Sequence, residues 1–218
     1  ANRVQRERHY LHKKASCRYA FGLYNGSVLM GVMLYGNPTA PTTIDVCGEP
    51  YRQHVLELTR LWIDDSVPKN SGSFFIGQTL KGLKNKIIVA FADPEYGHIG
   101  YIYQSVNFLY TGASERVGGV VTILGDDVHN KTLWKRFGTA KEIREYYGDE
   151  NVYYKKYIPK LRYVYFVGSK TQKKQMRKAL RYPVLPYPKG ESKRYDAGGA
   201  VPTQQLLFGL IKNLDLHK

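Results

Sequence analysis

Cysteine is scarce in this sequence: Cys17 and Cys47 are the two cysteines among 218 residues. They form no C-x-x-C pair, so the sequence indicates neither a disulfide framework nor a zinc site. No uninterrupted apolar run reaches the length of about 18 residues that a membrane-spanning helix needs. The first residues carry no apolar segment of the signal-peptide type. We therefore expect a reduced, cytoplasmic protein that does not bind a membrane.

Acidic residues are also few. The chain has 18 Asp and Glu against 33 Lys and Arg, which gives a formal net charge of +15 and a pI near 9.7. Such an excess attracts polyanions, chiefly nucleic acid, through phosphate contacts and counterion release. The alternatives are a basic protein without a polyanionic partner and one that meets only a nucleotide cofactor.

Apolar residues are plentiful enough for a core, at 43% of the chain. Their periodicity predicts an α/β (α+β) fold in which helices pack on a sheet. The C-terminal part of the chain forms a basic extension. We expect one domain over residues 1–190 with a basic N-terminal arm, and a tail over 191–218 with a short amphipathic helix at 203–216. The other predicted elements are a hairpin at 21–35, strands at 55–63, 86–92, 117–124 and 161–167, and helices at 71–83, 100–109, 138–147 and 171–181.

A strand, a turn, a helix and a second strand follow one another over residues 55–92. The turn is Lys69-Asn70-Ser71-Gly72-Ser73, in which Asn70 or Ser71 can cap the helix. Backbone N–H groups at the positive end of a helix suit a phosphate-bearing ligand. Continued to residue 124, this order resembles the central unit of the acetyltransferase (GNAT)-like fold. The resemblance implies a mixed central sheet flanked by helices and a turn that binds the pyrophosphate of coenzyme A. The turn departs from the usual Gln/Arg-x-x-Gly-x-Gly/Ala pattern, so an ordinary helix cap is the alternative.

Polar residues gather near two predicted strands. Asp93 directly follows the apolar strand at 86–92, and open α/β sheets place their ligand sites at the carboxyl ends of strands. His98 and Tyr103 come soon after Asp93. Glu57 and Arg60 are three apart on one strand, hence on opposite faces unless a bulge intervenes. Each of these residues also has an ordinary interpretation. Asp93 can be a turn residue, His98 a surface histidine, and Glu57 with Arg60 an ion pair at a strand edge. Together they form a candidate site.

The most specific pattern is Gly97-His98-Ile99-Gly100-Tyr101-Ile102-Tyr103-Gln104, followed by Asn107-Phe108-Leu109-Tyr110-Thr111-Gly112. With Glu57-Leu58-Thr59-Arg60-Leu61, the turn at 70–73 and Ala92-Asp93, it resembles the Mom family of bacteriophage DNA-modification proteins over residues 9–190. The resemblance implies a GNAT-like transferase that converts adenine N6 in double-stranded DNA to a methylcarbamoyl (acetamido) adenine. It also implies that the protein acts in the infected cell's cytoplasm and protects phage DNA from host restriction.

The resemblance also implies roles for individual residues. The first catalytic candidates are Arg60, Ser73, Asp93 and Tyr103, with Glu57 and His98 next. The candidates for binding acetyl-CoA are Lys69, Asn70, Ser71, Gly72, Ser73, Asn107 and Tyr110. Asp93 is expected to orient the adenine amine and Arg60 to stabilise developing negative charge. Making the transferred group from an acetyl unit requires further chemistry, which leaves room for a metal such as iron with no ligands identified.

An adenine inside duplex DNA must be flipped out before an enzyme can modify its N6. The candidates for gripping the DNA phosphates are two basic groups, Lys13, Lys14 and Arg18 in the first and Lys173, Lys174, Arg177 and Lys178 in the second. The alternative for both groups is a solvated charged surface. Two competing functions remain open: a conventional N-acetyltransferase acting on a protein or small amine, and a DNA-binding module without catalysis. The sequence predicts no oligomeric state.

Overall fold

The computed structural model describes residues 15–114, 119–124, 126–128, 130–156, 158–190 and 208–211. The strands are β1 (Tyr19–Asn25), β2 (Val28–Gly36), β3 (Val55–Ile63), β4 (Lys86–Ala92), β5 (Leu109–Ala113), β6 (Gly119–Ile123), β7 (Asp126–Val128), β8 (Val152–Lys156), β9 (Leu161–Val167) and β10 (Phe208–Ile211). The α-helices are α1 (Pro41–Ile44), α2 (Ser71–Gly82), α3 (Tyr101–Gln104), α4 (Asn130–Phe137), α5 (Ala140–Tyr147) and α6 (Lys170–Lys178). In the part of the chain described, no helix is long and apolar enough to cross a bilayer.

The larger sheet has the strand order β10-β1-β2-β3-β4-β9-β5. β3 and β4 run parallel, and the other neighbouring strands run antiparallel. α2 lies in the crossover between β3 and β4, because a parallel pair cannot be joined by a tight turn. The predicted mixed sheet flanked by helices is confirmed.

β4 lies inside the sheet and is covered on both faces, as its continuous apolar run predicts. Ile88 packs in the cluster that contains Phe75 of α2, and Ile87 packs on the opposite face with Met176 of α6. All these side chains are buried, and each contributes roughly 1.5–3 kcal/mol by leaving water. This packing holds α2 over one face of the parallel pair and α6 over the other.

A β-bulge interrupts β3. Its pairing with β2 runs from Gly31↔Ile63 to Leu34↔Arg60 and then shifts, so that Tyr35 pairs with Leu58. Thr59 is the extra residue, and its Oγ1 donates hydrogen bonds to Ser16 O at 2.9 Å and Leu34 O at 3.3 Å. An extra residue resets the alternation of side chains along a strand. Residues on either side of Thr59 that are three apart therefore face the same way.

A smaller sheet, with the order β7-β6-β8, is inserted between β5 and β9 together with α4 and α5. Its core contains Ile123, Leu133 and Ile143. α5 begins with a capping box: Thr139 Oγ1 accepts from Glu142 N, and Glu142 accepts in return from Thr139 N. The predicted helix at 138–147 and its Thr139 cap are confirmed.

Several other predicted elements can be compared with the structure. The hairpin at 21–35 is confirmed, with Gly26 at φ +56° in its turn. The predicted helix at 100–109 is shorter, because Phe108 is buried in the core and Leu109 begins β5. Within the predicted tail helix at 203–216, Phe208–Ile211 instead forms a strand antiparallel to β1. An apolar run of this length suits either period, and the outer edge of β1 supplies backbone partners for a strand. The rest of the tail lies outside the described residues.

Candidate active site

The parallel strands β3 and β4 are paired over only three positions, from Val55↔Ile87 to Glu57↔Val89. Both strands continue past the last pair, β3 to Ile63 and β4 to Ala92. An opening therefore forms at the carboxyl ends of the two strands, where sheets of this kind place ligands. Asp93 follows β4 at this end of the sheet.

Asp93 is buried and makes an ion pair. Its Oδ2 lies 2.7 Å from Lys160 Nζ, and its Oδ1 accepts a hydrogen bond of 3.2 Å from Glu95 N. The Asp93 residue is 6% exposed, whereas the Lys160 side chain is 33% exposed. Lys160 directly precedes β9, whose Leu161 pairs with Ala92, so the sheet register brings the two charges together.

Glu57 and Arg60 lie near this ion pair. The bulge at Thr59 places them on the same side of β3, so the predicted opposite faces are wrong and the bulge alternative is confirmed. Burial raises the pKa of Glu57, while the positive charges of Arg60 and Lys160 oppose that rise. Lys160 thus lies close to two carboxylates. We call Glu57, Arg60, Asp93 and Lys160 the charged cluster.

The pattern at residues 97–104 builds a loop over the ring of Tyr163. Gly100 has φ +85°, and a Cβ at this position would lie 2.6 Å from Tyr163 Cζ. Gln104 Nε2 donates to Tyr163 Oη at 3.1 Å and to Ile99 O at 3.3 Å. Gly100 and Gln104 therefore shape the segment that follows Asp93.

Two predicted catalytic residues of this loop have different surroundings. Tyr103 is 9% exposed, and its ring centroid lies 5.5 Å from that of Phe108 and 5.4 Å from that of Tyr163. Its ring is therefore part of the core. His98 is exposed, and its backbone N–H donates to Asp93 O at 3.1 Å, which fixes its backbone beside the charged cluster.

The turn at 69–73 leads into α2 as predicted, but the predicted side-chain cap is absent. Asn70 adopts φ +71° with no capping hydrogen bond, and Ser71 Oγ donates to Pro68 O at 2.7 Å. Ser73 Oγ donates to Asn70 O at 2.9 Å. A Cβ on Gly72 would lie 2.7 Å from Ile102 Cδ1, so this glycine allows α2 to pack closely against α3. The first turn of α2 has no acidic residue, and its N–H groups lie at the positive end of the helix.

The other predicted cofactor residues lie near β5. Asn107 adopts φ +62° before β5 and lines a hollow with Lys173 and Lys174 of α6. The ring of Tyr110 packs 5.3 Å from that of Tyr163. The structure therefore does not gather all of the predicted cofactor residues at one turn.

Several of the predicted DNA contacts that the structure describes lie at the other end of the sheet from Asp93. Arg18 precedes β1 and, after burial, is the second cause that lowers the pKa of Lys86 at the start of β4. Lys173, Lys174 and Arg177 line a hollow beside β9, and Lys178 is exposed near the end of α6. Lys13 and Lys14 lie outside the described residues. Among the residues described, no three His, Cys, Asp or Glu side chains group as metal ligands.

Comparison with known proteins decides the family. The model of the Mom protein family matches residues 1–189 of this chain. The chain belongs to the Mom protein family. The chain is also similar to the methylcarbamoylase mom of Escherichia phage Mu, with 27% identity over 200 residues that cover 87% of this chain and 80% of the relative. The family predicted from the residue patterns is confirmed.

Lys160 is the site residue that sequence reasoning missed in this member of the Mom family. It stands just before the predicted strand at 161–167, and an Asp directly after one strand can meet a residue directly before an antiparallel neighbour. Only the order of the strands in the sheet shows that β9 is that neighbour of β4. The missing information was therefore the pairing of strands that are distant in sequence.

Proposed function

We propose that this protein is a transferase that converts the N6 amine of adenine in DNA to methylcarbamoyl adenine, with a donor derived from acetyl-CoA. The modification would protect phage DNA from host restriction in the cytoplasm of the infected cell. The observation that carries the proposal is the charged cluster at the opening between β3 and β4 in a member of the Mom family. The methylcarbamoylase name of the phage Mu relative supports the group transferred.

Asp93 and Lys160 would position the adenine. The exocyclic amine of adenine is a poor nucleophile because its lone pair is delocalised into the ring, so orientation matters more than removal of a proton before attack. Asp93 can accept a hydrogen bond from the N6–H group. Lys160, which directly precedes the neighbouring strand β9, holds that carboxylate in place, with its Nζ 2.7 Å from Asp93 Oδ2.

Arg60 would stabilise the negative charge that develops during transfer, and Glu57 would accept the proton that the amine loses. Arg60 lies on the same side of β3 as Glu57 and can stabilise an oxyanion at the opening. The raised pKa of Glu57 brings its titration closer to neutral pH, which suits a group that accepts the amine's proton as the new bond forms. Tyr103 would support the site from the core, because it lies among Phe108 and Tyr163.

The residues present fit a diphosphate at the first turn of α2. This turn offers backbone N–H groups at a positive helix end, carries no acidic residue, and follows Lys69. When bound there, acetyl-CoA supplies an acetyl unit as a thioester. The methylcarbamoyl group contains a nitrogen that this unit lacks, so the reaction also requires a second reactant that carries an amine or amide nitrogen. The described residues offer no group of metal ligands, and we derive no step from a metal.

Flipping of the adenine calls for an aromatic surface beside the charged cluster. Tyr96 follows Asp93 by three residues and is 52% exposed. Stacking of a base on an aromatic side chain contributes roughly 1–3 kcal/mol. Tyr96 is therefore the residue that we propose to stack against the extruded base.

The proposal is tested by expressing the protein with a plasmid and analysing the plasmid's nucleosides by mass spectrometry. We expect an N6-modified adenosine with the wild type and a loss of at least about tenfold with Asp93→Asn, which keeps the size of the side chain. Glu95→Gln, an exposed position two residues away, is the matched control and should retain modification. Unmodified DNA from folded wild-type protein would refute the proposed function, and acetylation of free amines without DNA would favour a conventional N-acetyltransferase.

A further inference from the structure

A second feature of the molecule lies at the end of β9 remote from Asp93. β5 pairs with β9 only as far as Leu109↔Val164, so Tyr165–Val167 has no strand partner on that side among the residues described. On the other side these residues pair with the first residues of β4. The sheet edge is therefore open here, between the end of α2 and the start of α6.

Two adjoining hollows flank this open edge, and we call them together the distal groove. One has a volume of about 730 Å³ and is bounded by the last turn of α2, the end of β9 and the start of α6. The other has a volume of about 370 Å³ and lies between residues 107–109, β9 and α6. Both are lined by Tyr165 and Lys173, so they form one continuous surface.

The distal groove is strongly cationic. Lys81, Lys84 and Lys173 line its larger part, and Lys173, Lys174 and Arg177 line the smaller. No Asp or Glu lines either part within the described region. The sequence explains this, because residues 69–92 and 161–190 together contain twelve Lys and Arg and no Asp or Glu. A surface with this charge attracts a polyanion within about one Debye length, which grows from about 10 Å at 0.1 M salt to about 30 Å at 0.01 M.

An aromatic ring accompanies these charges. Tyr165 is half-buried, its ring lies 5.1 Å from that of Phe108, and Lys173 Nζ lies 5.9 Å from its centroid. An apolar floor with a cationic rim matches a sugar-phosphate strand, whose sugars are apolar and whose phosphates are charged. It does not match an apolar protein segment, because such a segment would leave the lysines without phosphate or carboxylate partners.

The distance between the distal groove and the charged cluster suits one continuous ligand. β9 spans six residue steps from Leu161, beside Lys160, to Val167, beside the groove, and a strand rises by about 3.3 Å per step. The two places are therefore about 20 Å apart. This length corresponds to about six base pairs of B-DNA, at about 3.4 Å per pair along each strand.

We propose that the distal groove binds the phosphate backbone of the DNA about six base pairs from the adenine that is modified. This inference rests on the proposed function for its choice of DNA as the ligand. It adds Lys81 of α2 and Lys84, two residues after the end of α2, to the contacts that the sequence predicted on α6. It also assigns the groove to affinity and orientation rather than to the chemical step.

The test compares duplex DNA binding by wild type, a groove variant and a control variant, by fluorescence anisotropy over a series of salt concentrations. The groove variant is Lys81→Gln/Lys173→Gln, and the control is Lys135→Gln/Lys141→Gln, which removes the same charge from exposed positions of α4 and α5. We expect the groove variant to raise Kd at least about tenfold near 0.1 M salt and to reduce the salt slope by about 2, since each phosphate contact contributes about 1. The control should bind as the wild type does.

Adenine modification is measured on the same proteins, so that the two proposals fail separately. Wild-type affinity in the groove variant would overturn the groove assignment, as would an equal loss in the control variant, which would show an effect of net charge alone. If the wild type leaves adenine unmodified while the groove variant alone loses affinity, the DNA-binding role of the distal groove is supported and the proposed function is refuted. If modification occurs and the groove variant binds normally, the function stands and the groove falls.

Discussion

Removal of Lys160 should reveal how much the fold depends on the ion pair with Asp93. The two charges lie 2.7 Å apart, and the Asp93 side chain is 8% exposed, so its carboxylate depends on Lys160 for solvation. Removing one partner of a fully buried pair costs about 3–5 kcal/mol. Because a third of the Lys160 side chain is exposed and water can replace part of the lost contact, we expect Lys160→Met to lower the free energy of unfolding by about 2 kcal/mol.

The assay is urea unfolding, supported by thermal unfolding, in which about 2 kcal/mol corresponds to a fall in Tm of about 4–8 °C for a chain of this length. Lys141→Met is the matched control, because Lys141 is 85% exposed in its ion pair with Glu145 and should contribute less than about 0.5 kcal/mol. The double variant Asp93→Asn/Lys160→Met no longer has a buried charge without a partner. Its loss of unfolding free energy should therefore be smaller than the sum of the losses in the two single variants, by at least about 1 kcal/mol. Additive losses, or a Lys160→Met protein as stable as the control, would refute the reasoning.

Two further predictions concern Glu57 and Gly100. Burial raises the pKa of Glu57 in the folded state. The wild type should therefore lose stability as the pH rises from the unfolded pKa of about 4.3 through the folded value. Glu57→Gln has no such group, so its stability relative to the wild type should increase through that pH window and stay constant at lower pH. Urea unfolding at a series of pH values measures this, and a difference that does not change with pH would contradict it. Gly100→Ala should destabilise the fold by about 2–4 kcal/mol, because alanine at φ +85° is strained and its Cβ would overlap the Tyr163 ring. Gly97→Ala, at φ +72° with no atom within 4 Å of the added Cβ, should show only the strain of about 1 kcal/mol, and equal losses in thermal unfolding would show that the overlap is unimportant.

Local patterns predict the parts of the fold that local physics determines. The apolar run of β4, the Asn25-Gly26 hairpin and the Thr139 cap each depend on a few neighbouring residues, and each appears in the structure as predicted. Elements that depend on residues distant in the sequence are harder to predict from local patterns. Phe208–Ile211 is a strand because the edge of β1 is there to pair with it, which the apolar pattern of the tail does not reveal.

The same distinction explains the outcome at the charged cluster. Asp93 is visible in the sequence because it ends an apolar strand, whereas Lys160 looks like any other lysine of a basic chain. The position of Arg60 beside Glu57 depends on one extra residue, Thr59, whose bulge is defined by the pairing of β3 with β2. A period-two pattern cannot show such an insertion, because it counts residues along one strand and not across two.

The most specific part of the family pattern, residues 97–104, contributes mainly to the architecture of the site. Within residues 97–104, Gly100 admits the Tyr163 ring, Gln104 hydrogen-bonds it, and Tyr103 packs against it. These contacts shape the segment after Asp93 but leave the charges to other elements: Glu57 and Arg60 on β3, and Lys160 before β9. Chemistry at this site therefore depends on strand register as much as on the loop.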